Sequence, residues 1–202
     1  MIKVCILDYG SGNVSSVYNL VNYLNFKCKI SNNIEVLKKS THIILPGVGA
    51  FGASMRKIKQ KIPLKELEEE VLIKKKPFLG ICVGMQLLAD ESEEFGKHKG
   101  LGWIKGSVKK IKSNKLPHIG WNNVVIKKKD QIFDDLISLN DFYFVNSFFF
   151  DLKDKKLAIG ETKYSHNFCS VLKKKNIIGV QFHPEKSQKS GQILIKNFLK
   201  MK

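Results

Sequence analysis

The sequence predicts an α/β fold: a doubly wound, mostly parallel sheet with antiparallel additions in its second half. Three observations carry that expectation. Short apolar runs alternate with amphipathic stretches up to about residue 90, the pattern of strands and crossover helices in a parallel sheet. Glycine-rich turns follow several of those runs, at Gly10-Ser11-Gly12, Gly47-Val48-Gly49 and Gly80-Ile81-Cys82-Val83-Gly84. Later in the chain the apolar runs are joined by short turns, which suits antiparallel neighbours.

The elements follow in order. Val4 to Leu7 reads as a buried strand, and Asn13 to Tyr23 as a helix with apolar residues at 14, 17, 20, 21 and 24. A short strand at Cys28 to Ile30 precedes a helix over Ile34 to Lys39. Ile43 to Leu45 is the next strand, and Glu66 to Ile73 reads as helical. The run Pro77 to Ile81 enters the Cys82 turn, and Met85-Gln86-Leu87-Leu88-Ala89 leaves it as a helix former. Strands are then predicted at Trp103 to Ile111, Val124 to Lys128, Phe142 to Val145, Leu157 to Thr162 and Phe168 to Leu172, with a closing amphipathic helix over Gly191 to Lys200.

A chain of 202 residues is most simply one domain, residues 1–202, with room for a proper core. Lys3 and Asp8 interrupt the first apolar run, and no stretch approaches a membrane span, so a cytoplasmic protein is expected. The formal charge of +17 invites a nucleic-acid reading, but Arg56 is the only arginine among 35 basic residues. Arginine makes the bidentate phosphate and base contacts, so its scarcity counts against nucleic acid as partner. Cys5, Cys28 and Cys169 lie in strand-like runs and read as small core residues. The histidines show no metal-ligand spacing with them, so neither metal nor cofactor is expected. Gly10-Ser11-Gly12 lacks the third glycine of a dinucleotide fingerprint, since Ser15 takes its place.

Two segments carry chemistry. Strand, sharp turn and helix around Cys82 is the geometry of a nucleophile elbow. Glycines on both sides let the backbone bend, and the following helix would aim its N-terminal N–H groups at the thiol. Taken alone, the segment also reads as a buried cysteine in a tight turn. The second segment is Ile177 to Glu185, an apolar run ending in His183-Pro184-Glu185. In extended chain His183 and Glu185 lie on one side, and Pro184 keeps His183 out of the helical region. A carboxylate holding one imidazole nitrogen while the other faces a thiol is the triad arrangement generalised. Val83 N–H, just after the nucleophile, is placed as an oxyanion donor.

These stretches resemble the class I (triad) glutamine amidotransferases. The likeness runs almost end to end, through Asp8-Tyr9-Gly10-Ser11-Gly12-Asn13, Leu45 to Phe51, Gly80 to Leu88, Pro117-His118-Ile119-Gly120-Trp121-Asn122, Tyr143-Phe144-Val145 and Gln181 to Ser187. Several of them are similar to the HisH type, the glutaminase subunits of imidazole glycerol phosphate synthase. The resemblance implies a flavodoxin-like sheet, glutamine as substrate, and Cys82, His183 and Glu185 as the catalytic residues. It puts a second oxyanion donor on the loop with Val48 and Gly49, and glutamine contacts at Gly49, Gln86, Ser147 and Phe148. Without it, Gln86 reads equally as a solvated helix residue. It implies ammonia transfer to a HisF-type (β/α)8-barrel cyclase in a heterodimer, with Asn13, Trp121, Asn122, Tyr143 and Lys186 at that interface. Trp121 reads equally as a core residue. Asn146 departs from the family, which usually has histidine after the Tyr-Phe-Val, and leaves open a HisH-like subunit of a sugar-amidating enzyme in surface-glycan synthesis.

Overall fold

The computed structural model describes residues 3–136 and 140–201. Its first half holds β1 (Lys3–Leu7), α1 (Val14–Tyr23), β2 (Lys27–Ser31), α2 (Ile34–Lys39), β3 (His42–Gly47), α3 (Phe51–Lys61), α4 (Leu64–Glu68), β4 (Phe78–Cys82) and α5 (Val83–Gln86). A π-helical turn, Glu69–Ile73, continues α4. The second half holds β5 (Glu91–Ser92), β6 (His98–Lys99), β7 (Gly106–Lys110), β8 (His118–Asn123), β9 (Val125–Ile126), β10 (Asp141–Asn146), β11 (Phe148–Leu152), β12 (Ala158–Tyr164), β13 (His166–Lys174), β14 (Ile177–Val180) and α6 (Gln188–Leu199).

The main sheet runs β2-β1-β3-β4-β14-β13-β12-β9. Its first five strands are parallel, and β13, β12 and β9 add on antiparallel. The parallel part therefore has the flavodoxin-like order 2-1-3-4-5, with β14 as the fifth strand. Strands β3, β4 and β14 are buried at every position, which is why they read as unbroken apolar runs. Edge strand β2 holds only exposed and half-buried residues, and Cys28 on it is half-buried against the core rather than within it.

The second half supplies antiparallel pairs as expected, but not all of them extend the main sheet: among the described residues β8 pairs with β10 in a two-stranded sheet, and β11, β7, β5 and β6 form a third sheet. β10 alternates, with Phe142 and Phe144 buried, so it lays one face on the core and leaves the other open. The Phe142 ring stacks on Phe182 at 4.0 Å between centroids.

Two helical readings also change. α3 is a helix that the sequence analysis does not predict, although Phe51, Met55 and Ile58 bury one stripe of it at helical spacing. Gly52 and Ser54 weaken its local preference for helix. The run Met85 to Ala89 does not extend the elbow helix. α5 is one turn, and the next residues close i→i−3 bonds, Leu88 N to Met85 O and Ala89 N to Gln86 O. Among the described residues, no helix is long and apolar enough to cross a membrane.

Candidate active site

The elbow forms because main chain presses on main chain there. A Cβ on Gly84 would lie 1.9 Å from Leu45 O, and one on Gly80 would lie 2.6 Å from Gly84 O. Only glycine lets β3, β4 and α5 approach this closely. Cys82 itself takes φ +53° and ψ −111°, a sparsely populated region for a residue with a side chain. Such a residue costs about 1–3 kcal/mol and persists only where the surroundings hold it. The constraint leaves the sulfur at the carboxyl end of the parallel strands, where open α/β sheets bind ligands.

The partner residues come from beyond β14. His183 is extended, and its N–H donates to Tyr143 O at 2.9 Å. Its Nδ1 lies 2.9 Å from Glu185 Oε1. Glu185 reaches this position through a 3-10 turn, Pro184–Lys186, so the extended-chain reason for the pairing is corrected: a turn, not strand alternation, brings the carboxylate back. Asn13 Nδ2 donates to the same Glu185 oxygen at 3.2 Å. With Nδ1 engaged, Nε2 is the ring nitrogen left for Cys82. Burial opposes charge on His183, but hydrogen bonds and charge from Cys82 and Glu185 outweigh it and hold the imidazole up at about 10. His183 is thus poised as an imidazolium beside the sulfur.

The glycine-rich loops after β1 and β3 meet at the site. Ser11 Oγ donates to Val48 O at 2.9 Å, and a Cβ on Gly12 would meet Pro46 O at 3.0 Å. Gly49 has φ +87° with open space where a side chain would stand, so its peptide has room to turn. Val83 opens α5 directly after Cys82. Because α5 is a single turn, its dipole adds little to thiolate stability.

Gln86 is buried rather than solvated. Its Nε2 donates to Phe148 O and to Gln181 Oε1, each at 3.0 Å. Phe148 O also accepts from Asn146 Nδ2 at 3.0 Å, so Gln86, Asn146 and Phe148 share one hub beside Ser147. Among the expected interface residues, Trp121 is 48 % exposed and meets Tyr143 edge-on at 6.1 Å, which removes the core reading. Lys186 Nζ sits 5.9 Å from the Tyr143 ring centre. Asn122 Nδ2 reaches His118 Nε2 at 3.1 Å and Lys163 O at 3.2 Å. Ile119, Trp121, Tyr143 and Val145 share one face of the β8–β10 pair and make it apolar and open, with Lys186 beside Tyr143, whereas Asn122 lies on the opposite face with His118.

Sequence reasoning missed two side chains at the site. Gln181 places Nε2 3.7 Å from Cys82 Sγ. Its signal was a carboxamide inside a fully apolar strand run, where a polar group must find partners. Glu94 accepts the Phe51 N–H at 2.6 Å, at the base of the loop carrying Val48 and Gly49. No spacing rule points to it.

A family model described as glutamine amidotransferase class-I matches residues 5–201. The chain belongs to the class I glutamine amidotransferases. Within this family its relatives include proteins named imidazole glycerol phosphate synthase subunit HisH. The subunit HisH 2 of Methanococcus maripaludis is 45% identical over 98% of both chains. The HisH of Methanocaldococcus jannaschii is 45% identical over 97% of this chain and 98% of its own. HisH 2 of Vibrio vulnificus is 42% identical over 98% and 94%. A solved structure described as a glutamine amidotransferase from Thermotoga maritima superposes with TM-score 0.65 at 18% identity, covering 98% of this chain and 82% of that one. At that identity it establishes the fold of this amidotransferase alone.

Proposed function

We propose that this amidotransferase is the glutaminase subunit of an imidazole glycerol phosphate synthase. It hydrolyses glutamine to glutamate and ammonia, and a HisF-type cyclase takes the ammonia to make imidazole glycerol phosphate and aminoimidazole carboxamide ribonucleotide. The observation that carries the reading is the geometry: a strained elbow cysteine, and beyond the neighbouring strand β14 a histidine whose Nδ1 lies 2.9 Å from the Glu185 carboxylate. The HisH relatives, matched over nearly their whole length, support the pathway.

The whole chain works as one amidotransferase domain in the cytoplasm. Cys82 thiolate attacks the carboxamide carbon, and its proton resides on His183 Nε2. The oxyanion is held by Val83 N–H and by an N–H of the Val48–Gly49 loop. His183 gives its proton to the departing ammonia, leaving a glutamyl thioester on Cys82. His183 then takes a proton from water, which attacks the thioester and releases glutamate. Glu185 orients the ring, and Gly49, Gln86, Ser147 and Phe148 line the glutamine site. Asn13, Trp121, Asn122, Tyr143 and Lys186 meet the (β/α)8-barrel partner in a heterodimer.

The test is Cys82→Ala in the reconstituted complex. Glutamate formation is expected to fall by roughly 10⁴-fold or more, as for loss of other catalytic nucleophiles. Turnover fed by ammonium salts should persist. Glutamate formation at the wild-type rate would overturn the assignment.

A further inference from the structure

We propose that Gln181 is a further catalytic residue, whose side-chain amide is the neutral donor that holds the Cys82 sulfur as a thiolate. The inference deepens the glutaminase reading and rests on it for its role in turnover. Gln181 is fully buried directly after β14, so both ends of its carboxamide need partners.

The orientation of that carboxamide follows from one main-chain group. Phe148 O can only accept, so the Gln86 atom 3.0 Å away is its amino nitrogen. That same nitrogen lies 3.0 Å from the Gln181 side chain and donates there, so the Gln181 atom facing it is Oε1. Gln181 Nε2 is then the atom turned to Cys82 Sγ, at 3.7 Å. Flipping the amide would set nitrogen against nitrogen at Gln86. A carbonyl on a neighbouring strand thereby fixes a donor at the nucleophile through two glutamines.

The other contacts of the sulfur make this donor matter. Val145 O lies 3.9 Å away and can accept from the thiol, but it repels a thiolate. The titratable groups around the sulfur, among the described residues, are His183, backed by Glu185, and the buried Tyr9 phenol. His183 gives its proton away during the reaction, and the dipole of the one-turn α5 is weak. Gln181 is a donor to the sulfur that does not depend on the protonation state of His183. A hydrogen bond to a charged group is worth enough to move a titration by about one pH unit, or about tenfold in thiolate below the midpoint.

The experiment is alkylation of Cys82 by iodoacetamide across pH in the purified full chain, read by peptide mass so that half-buried Cys28 is counted separately. Gln181→Met keeps length without donors, and Gln181→Glu keeps shape while replacing the donor with a carboxylate. The midpoint should move up by about one pH unit in the first and further in the second, with glutamine kcat down about tenfold and KM little changed. Superposition of the Gln181→Met profile on wild type overturns the proposal. Should neither variant fold, the wild-type chain decides: the ¹⁵N side-chain amide resonance of Gln181 should titrate with the alkylation midpoint, and an unmoved resonance overturns it. Neither readout needs glutamine. A wild-type chain that hydrolyses no glutamine even in its complex would sink the glutaminase reading while leaving these measurements to stand or fall alone.

Discussion

Between residues 42 and 89 the site is shaped by backbone pressed on backbone, with Gly80 and Gly84 at distances no Cβ tolerates. Between residues 141 and 187 it is shaped by hydrogen bonds that side chains make: His183 to Glu185, and Ser187 Oγ, which accepts from Tyr143 N–H at 3.0 Å and donates to His183 O at 2.6 Å. The first region fixes where the sulfur stands. The second decides its protonation and whom it meets. Substitutions in the first should therefore cost stability, and substitutions in the second should cost rate or association while the fold survives.

The largest effect that sharpens this contrast is Glu185→Gln. The amide keeps its shape but cannot balance an imidazolium, so glutamine kcat should fall by roughly 10²–10⁴-fold, as when other triad carboxylates are replaced. Thermal unfolding should change little. A large drop in Tm with modest rate loss would break the comparison from this side. The opposite test is Gly84→Ala. Its methyl would overlap Leu45 O, so stability should fall by about 3 kcal/mol or more, seen in urea unfolding. Full stability with low activity would show the elbow is not held by backbone contact.

A smaller effect is expected at the apolar face. Trp121→Ala should weaken association with the cyclase by about 2 kcal/mol, near thirtyfold in Kd, because large aromatic anchors dominate interfaces. Glutaminase chemistry in the saturated complex should be retained. The smallest effect concerns pH. Burial holds His42 and His118 below the ordinary imidazole value, against weaker opposing hydrogen bonds from Met201 O and Asn146. The unfolded chain takes up those protons near 6.5 and the folded chain does not, so stability falls as pH drops through that value. His183 acts with the opposite sign: its contribution is complete below 6.5 and is lost as pH rises through about 10. Between pH 7 and 5 the two buried histidines steepen the fall, and His118→Gln should flatten the slope there, read by urea unfolding at each pH. An unchanged slope would show that His118 titrates normally.

What the sequence made legible follows the same division. Glycine spacing around Cys82 and the proline after His183 are local rules, so both ends of the reaction could be found without structure. The parallel sheet was legible because β3, β4 and β14 are buried throughout and read as apolar runs, whereas its flavodoxin-like order came from the family resemblance. Gln181 and Glu94 were not legible as site residues, since their roles depend on a bond from Gln86 and on the N-terminus of α3. The separate pairing of β8 with β10 was hidden for a related reason: alternation shows that one face is buried, not which strand lies alongside. The length of α5 is set by the tight bonds of Leu88 and Ala89, although the residues themselves favour helix.

The most direct test is to trap the covalent intermediate. The complex, supplied with acceptor substrate and radiolabelled glutamine, is quenched in acid within a turnover, and the label is located by peptide mapping. The triad account predicts a glutamyl group on the peptide carrying Cys82, absent in Cys82→Ala. Glutamate accumulating without label on that peptide, or label fixed elsewhere, would contradict it.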